Sequence, residues 1–168
     1  MTKEARYNAG YAADKIAHMI EFGQQNPHVV MLLHGGGLSW GNYREVAQQL
    51  AAQYHVVLPA LDGHADSDSP FTTIEDNAAR LISCIDTHFG GQILAIGGLS
   101  LGGQVAVEML SQRPGICQCA LLESALVKPM PLTSALIEPT FSMSYGLIRQ
   151  KWNLWKPGKS KDNRIGCK

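Results

Sequence analysis

The sequence predicts an α/β fold, a mostly parallel sheet with helices on both faces, and three observations predict it. Apolar runs rich in β-branched residues alternate with segments of helical period, the pattern of parallel strands joined by crossover helices. The run Val29-Val30-Met31-Leu32-Leu33 is continuously apolar and suits a central strand buried on both sides. Finally, Gly98-Leu99-Ser100-Leu101-Gly102 follows the apolar run Gln92 to Gly97 and opens a helix-like stretch, so strand, sharp turn and helix succeed one another there.

Taken in order, Ala17 to Phe22 is expected as an earlier edge strand, ahead of the central run. From Gly41 to Tyr54 the apolar positions Tyr43, Val46, Ala47, Leu50 and Ala51 fall at helical spacing and leave Arg44, Gln48 and Gln49 to solvent. His55-Val56-Val57-Leu58 returns to strand character and ends at Pro59. Thr72-Thr73-Ile74-Glu75 reads as a capping box, with the Thr72 hydroxyl and the Glu75 carboxylate satisfying the amides at a helix start. Ile74, Ala78, Leu81, Ile82 and Ile85 make the buried stripe of that helix, and Gly90-Gly91 stops it in a left-handed turn. Gly102 to Arg113 carries Val105, Ala106, Met109 and Leu110 on one face, stops at Pro114-Gly115, and gives way to a strand from Ile116 to Leu122.

Composition sets the outer limits. The 168 residues are 45% hydrophobic with a formal net charge of zero, enough for one sizeable core and without the basic surplus that recruits nucleic acid. No apolar run approaches the roughly 20 residues of a membrane span, and Met1 to Arg6 lacks the apolar centre of a signal peptide, so a cytoplasmic location is expected. Cys117 and Cys119 share a face of the last strand and read as a buried thiol pair rather than a metal site. Residues 1–127 are expected to form the core and 128–155 the start of a lid. Residues 156–168 read as a basic, disordered tail, because Lys151 to Lys168 holds six basic residues against one acidic and no core element.

Three places carry chemistry. At the first, the glycines flanking Ser100 answer a steric requirement, since a Cβ at Gly98 or Gly102 crowds a turn that holds a serine in a strained backbone; the plainer reading is a flexible turn over Gly97 to Gly103. At the second, His34-Gly35-Gly36-Gly37 follows a strand, and its consecutive glycines expose amides that can aim at a developing oxyanion. His34 tempts as a base, yet its place in the turn favours bracing the loop. The third is the loop Pro59-Ala60-Leu61-Asp62-Gly63-His64-Ala65-Asp66-Ser67-Asp68, whose aspartates and His64 suggest a divalent ion, although a single surface loop rarely converges its carboxylates. Neither metal nor cofactor is expected.

These three places, in this order between about Val29 and Glu123, resemble the N-terminal part of the α/β-hydrolase fold family. The resemblance implies that Ser100 is a nucleophile and that Leu101 with Gly36 or Gly37 forms the oxyanion hole, with His34, Gly35, Gly98, Gly102 and His64 in supporting roles. The family's loop after the third strand usually reads Pro-Asp-Leu-Pro-Gly-His-Gly; here Ala60, Asp62 and Ala65 replace its acid, second proline and last glycine. The family's triad runs serine, acid, histidine along the chain. Here all six histidines (His18, His28, His34, His55, His64, His88) precede Ser100, and Asp162 is the sole acidic residue after Glu138.

The resemblance therefore implies a serine-dependent hydrolase of a small ester, amide or related bond, in a chain expected to be cut short near Trp155 and poorly active. A stand-alone short variant is the alternative explanation of its length. Two other functions stay open: a binding module holding a carboxylate or phosphate at a helix start, and an acyltransferase. A phosphate loop does not match, because no Lys follows Gly102-Gly103. The partner expected is a small-molecule substrate, with neither nucleic acid nor membrane, and a last strand left as a sheet edge invites self-association.

Overall fold

The computed structural model describes residues 18–64 and 67–126. Its elements are β1 (Met19–Phe22), β2 (Val29–Leu33), a 3-10 turn (Trp40–Tyr43) leading into α1 (Arg44–Leu50), β3 (His55–Pro59), α2 (Ile74–His88), β4 (Ile93–Leu99), α3 (Leu101–Gln112) and β5 (Cys117–Glu123). They form a five-stranded sheet in the order β1-β3-β2-β4-β5. β1 runs antiparallel to β3, while β3, β2, β4 and β5 are mutually parallel. The fold is the expected α/β sheet, mostly parallel, with side chains packed on both faces of β3, β2 and β4.

Side-chain alternation along β2 explains the two-sided burial. Met31 and Leu33 face α2 and α3, packing with Val57, Ala78, Leu81, Ile85, Ile96, Val105, Ala106 and Met109. Val30 and Leu32 point the other way, with Val56, Leu58 and Ala95, against Ala47 of α1 and the partly buried Trp40, Tyr43 and Leu50. Each such fully buried aliphatic side chain contributes about 1.5–3 kcal/mol over an exposed one. With helices on both sides, the carboxyl ends of β2, β4 and β5 are where the loops are free to build a site.

Local details depart from the sequence reading in four places. The edge strand is shorter, starting at Met19. The cap of α2 is Thr73, whose hydroxyl accepts the Asp76 amide at 3.0 Å, rather than Thr72; both threonines have an acid three residues on, and the helix begins at Ile74. Val46 is 46% exposed, because α1 is short and lays only Ala47 fully on the sheet. Cys119 is exposed and Cys117 only partly buried, so the two thiols are not a buried pair. Their strand pairs with β4 alone among the described residues, and both its faces lack cover there: Leu121 is 67% exposed and Leu122 47%. The predicted left-handed stop of α2 is present, with Gly90 at φ 68 and Gly91 at φ 85. The expected lid over 128–155 and tail over 156–168 lie outside the described residues.

Candidate active site

β4 ends at Leu99, and Ser100 turns the chain into α3 with φ 51 and ψ −111. A non-glycine residue held there costs on the order of 1–3 kcal/mol, which the surrounding packing has to offset. Two backbone contacts hold it: the Ser100 amide donates to the Glu123 carbonyl at 2.8 Å, and the Ser100 carbonyl accepts from Gln104 at 3.0 Å to start the helix. Ser100 occupies the N-cap position without capping with its side chain, and the residue is exposed.

Close packing explains the flanking glycines. A Cβ on Gly98 would lie 2.4 Å from the Gly102 carbonyl oxygen, and one on Gly102 would lie 2.2 Å from the Leu33 oxygen and 2.6 Å from the His34 oxygen. The start of α3 thus presses against the end of β2, which sets Ser100 beside the loop that follows it. A Cβ on Gly36 would meet Leu101 at 3.7 Å, and one on Gly35 would approach the Leu99 carbonyl oxygen at 3.4 Å. Gly35 and Gly36 are therefore neighbours of the Leu99 to Leu101 turn. Gly37 has φ 73, and a Cβ there would meet nothing within 4 Å; the Leu38 amide donates to the Gly35 carbonyl at 3.1 Å to close the turn.

His34 is fully buried behind this loop. The Leu61 amide donates to its Nε2 at 3.1 Å, so Nδ1 carries the ring proton and donates to the Gly35 carbonyl at 3.0 Å. Burial holds its pKa below the ordinary histidine value, opposed by the Gly35 bond and assisted by His64. Both nitrogens are committed, so the ring fastens Gly35 to the Leu61 loop and has no lone pair for a serine proton. His64 stands edge-on to it, ring centroids 5.1 Å apart, with Nδ1 bonded to the Asp62 carbonyl at 2.9 Å.

Asp62 does not turn toward solvent. It is 3% exposed, its amide donates to Asn77 Oδ1 at 3.0 Å, and its Oδ1 takes Arg80 at 2.8 Å and the Ser67 hydroxyl at 3.3 Å. Oδ2 is buried without a partner. Burial raises the carboxyl above its ordinary range, and Arg80 pulls the other way. Asp62 is thus a structural anchor of the loop, and among the described residues no group of three His, Cys, Asp or Glu is placed to hold a metal ion. Asp66 lies outside them.

Sequence reasoning passed over Asn77 and Arg80, although their spacing of three puts them on one face of α2. It also passed over the end of β5. Glu123 is the register partner of Leu99, and the next residue, Ser124, has φ 52, so two adjacent parallel strands both end in a strained serine. No sequence pattern announces that pairing.

Comparison with known proteins bears on this arrangement. A pimeloyl-[acyl-carrier protein] methyl ester esterase of Chromobacterium violaceum is 38% identical over 90 residues, 54% of this chain and 34% of that protein. A soluble epoxide hydrolase of Corynebacterium sp. (strain C12) is 34% identical over 94 residues, 53% of this chain and 31% of its own length. The structure of a thermophilic esterase from Thermogutta terrifontis superposes with a TM-score of 0.61 at 26% identity, covering 67% of this chain and 42% of that one. The chain thus spans well under two thirds of the length of these relatives. No helix among the described residues is long and apolar enough to cross a membrane. The model of the alpha/beta hydrolase fold matches residues 28–154, taking in β2 to β5 and the Ser100 turn, and the chain belongs to that family.

Proposed function

We propose that Ser100 is the nucleophile of an acyl-transfer site acting on a small ester, amide or related bond, with water as the acceptor. The observation that carries this is the backbone of Ser100 at φ 51 and ψ −111, locked by the Gly98 and Gly102 close approaches beside Gly36. In this reading Oγ attacks the carbonyl carbon, and the oxyanion is met by the amides of Leu101 and of Gly36 or Gly37. His34 and His64 tie the loops that place those amides, and Gly35, Gly98 and Gly102 permit the close packing. The substrate is a small molecule and the setting cytoplasmic.

The proton of Oγ is the weak point of the machinery. His34 is bonded through both nitrogens. His64 belongs to a loop anchored by Asp62, and no histidine follows Ser100 in these 168 residues. In this reading these 168 residues offer Oγ no general base, and a serine without one is slower by orders of magnitude, so a purified protein of these 168 residues and its Ser100→Ala variant are expected to hydrolyse p-nitrophenyl acetate equally slowly. Exogenous imidazole supplies a base without altering the protein. Added imidazole is expected to raise hydrolysis by the parent above the protein-free imidazole rate, by about tenfold or more over the unassisted protein, and Ser100→Ala removes that increment. An increment of equal size in Ser100→Ala overturns the nucleophile assignment.

Self-association through the β5 edge belongs to the same proposal. Among the described residues β5 pairs with β4 alone and leaves Leu121 and Leu122 exposed, which favours pairing with a second copy. Sedimentation should show mass rising with concentration in the parent and less so in Leu121→Lys; a monodisperse monomer throughout contradicts it.

A further inference from the structure

The end of β5 holds a carboxylate that the reading above leaves unused. Register partners in a parallel pair point to the same side of the sheet, and β4 and β5 pair Ala95 with Cys119, Gly97 with Leu121 and Leu99 with Glu123. Ala95 packs on the α1 side with Trp40 and Tyr43. Glu123 is therefore on that same side, the side on which Leu99 lies against Gly35. Its backbone is joined directly to the turn, since its carbonyl takes the Ser100 amide at 2.8 Å. The next residue, Ser124, has φ 52, and strained non-glycine positions cluster at functional sites. The Tyr43 phenol, on the same side of the sheet, is pushed above its ordinary range first by burial and then by the Glu123 charge.

We infer that Glu123 is a specificity determinant of the Ser100 site, selecting esters that carry a cationic group and rejecting those that carry a carboxylate. This rests on the acyl-transfer reading. Glu123 is the exposed register partner of Leu99, the residue before Ser100, on the side of the sheet where Leu99 meets the oxyanion loop, so in this reading a substrate whose carbonyl meets Leu101 and Gly36 brings its substituents toward it. An ammonium there gains attraction, a carboxylate meets like charge, and a neutral group feels neither.

The test compares acetylcholine, its uncharged carbon isostere neohexyl acetate, and monomethyl succinate. Each is titrated into the full chain while the amide signals of Ser100, Leu101 and Gly36 are followed by NMR, which needs no turnover. The cation is expected to bind about tenfold more tightly than the anion, the neutral ester between them, and the ratio to fall to about twofold or less in Glu123→Gln. Where that variant does not fold, salt replaces it: the parent's ratio is expected to shrink toward one between about 0.02 and 0.5 M salt. A ratio near one in the parent, or one unchanged by both Glu123→Gln and salt, overturns the inference while the acyl-transfer reading stands. If none of the three esters moves the Ser100 and Leu101 signals, that reading falls and the inference with it.

Discussion

Gly102→Ala is expected to remove about 4 kcal/mol or more of folding stability, against the direction that helix propensity alone sets. Alanine is the better helix former by about 1 kcal/mol, and Gly102 lies inside α3. The added Cβ, however, sits 2.2 Å from the Leu33 oxygen and 2.6 Å from the His34 oxygen, and both are backbone atoms of β2 and its loop that cannot swing away as a side chain can. The helix start has to back off the sheet, taking the Ser100 turn with it. Losses of that size are exceptional for one methyl group and consume much of the roughly 5–15 kcal/mol a domain has. Gly36→Ala is the control, because its Cβ meets Leu101 at an ordinary 3.7 Å. Urea unfolding of the three proteins decides the matter; a Gly102→Ala midpoint matching that of Gly36→Ala removes the close approach as the reason for glycine at this position.

How much of this was legible in the sequence depends on how local the cause was. β2 and β4 are apolar on both sides, and a strand covered on both faces shows as an unbroken run in the chain itself. The turn at Ser100 was legible for a similar reason: two glycines spaced around a serine, between strand and helix, record the close approach that the Gly98 and Gly102 contacts display. The strand from Ile116 to Leu122 and its place at the end of the sheet were legible, whereas the burial of Cys117 and Cys119 was not, because at the end of the sheet order burial depends on what is laid over the strand and not on its composition. Val46 misled because helical spacing says which face is apolar and cannot say how short the helix is. Least legible were contacts between distant segments. Arg80 on α2 finds Asp62, and Glu123 finds Ser100 and Tyr43, through the fold alone.

The Asp62 and Arg80 pair supplies the other large effect, and its size changes with pH in a way packing does not. Arg80 is the only cation bonded to Asp62 among the described residues, and both side chains are largely buried, at 3% exposure for Asp62 and 18% for Arg80. Removing one member of such a pair leaves an uncompensated buried charge, so Arg80→Met is expected to cost about 3–5 kcal/mol at neutral pH. Burial already raises the Asp62 carboxyl above 3.8, with Arg80 opposing. A carboxyl whose folded value lies above its unfolded one contributes its stability in the protonated form, fully present below the unfolded value and lost as pH rises through the folded value. Without Arg80 the folded value climbs further, so the deficit of Arg80→Met should be largest at neutral pH and narrow toward about pH 4, where the proton replaces the arginine. Asp62→Asn in the Arg80→Met background should recover at least half of the neutral-pH loss, because it takes the buried charge away. The consequence reaches the candidate site, since the Asp62 loop carries the Leu61 amide that fixes His34, and His34 in turn fixes Gly35. Thermal unfolding of the parent and both variants across that pH range provides the check: a deficit for Arg80→Met that is the same at every pH would mean that lost packing of the arginine stem, and not the stranded Asp62 charge, is the cause.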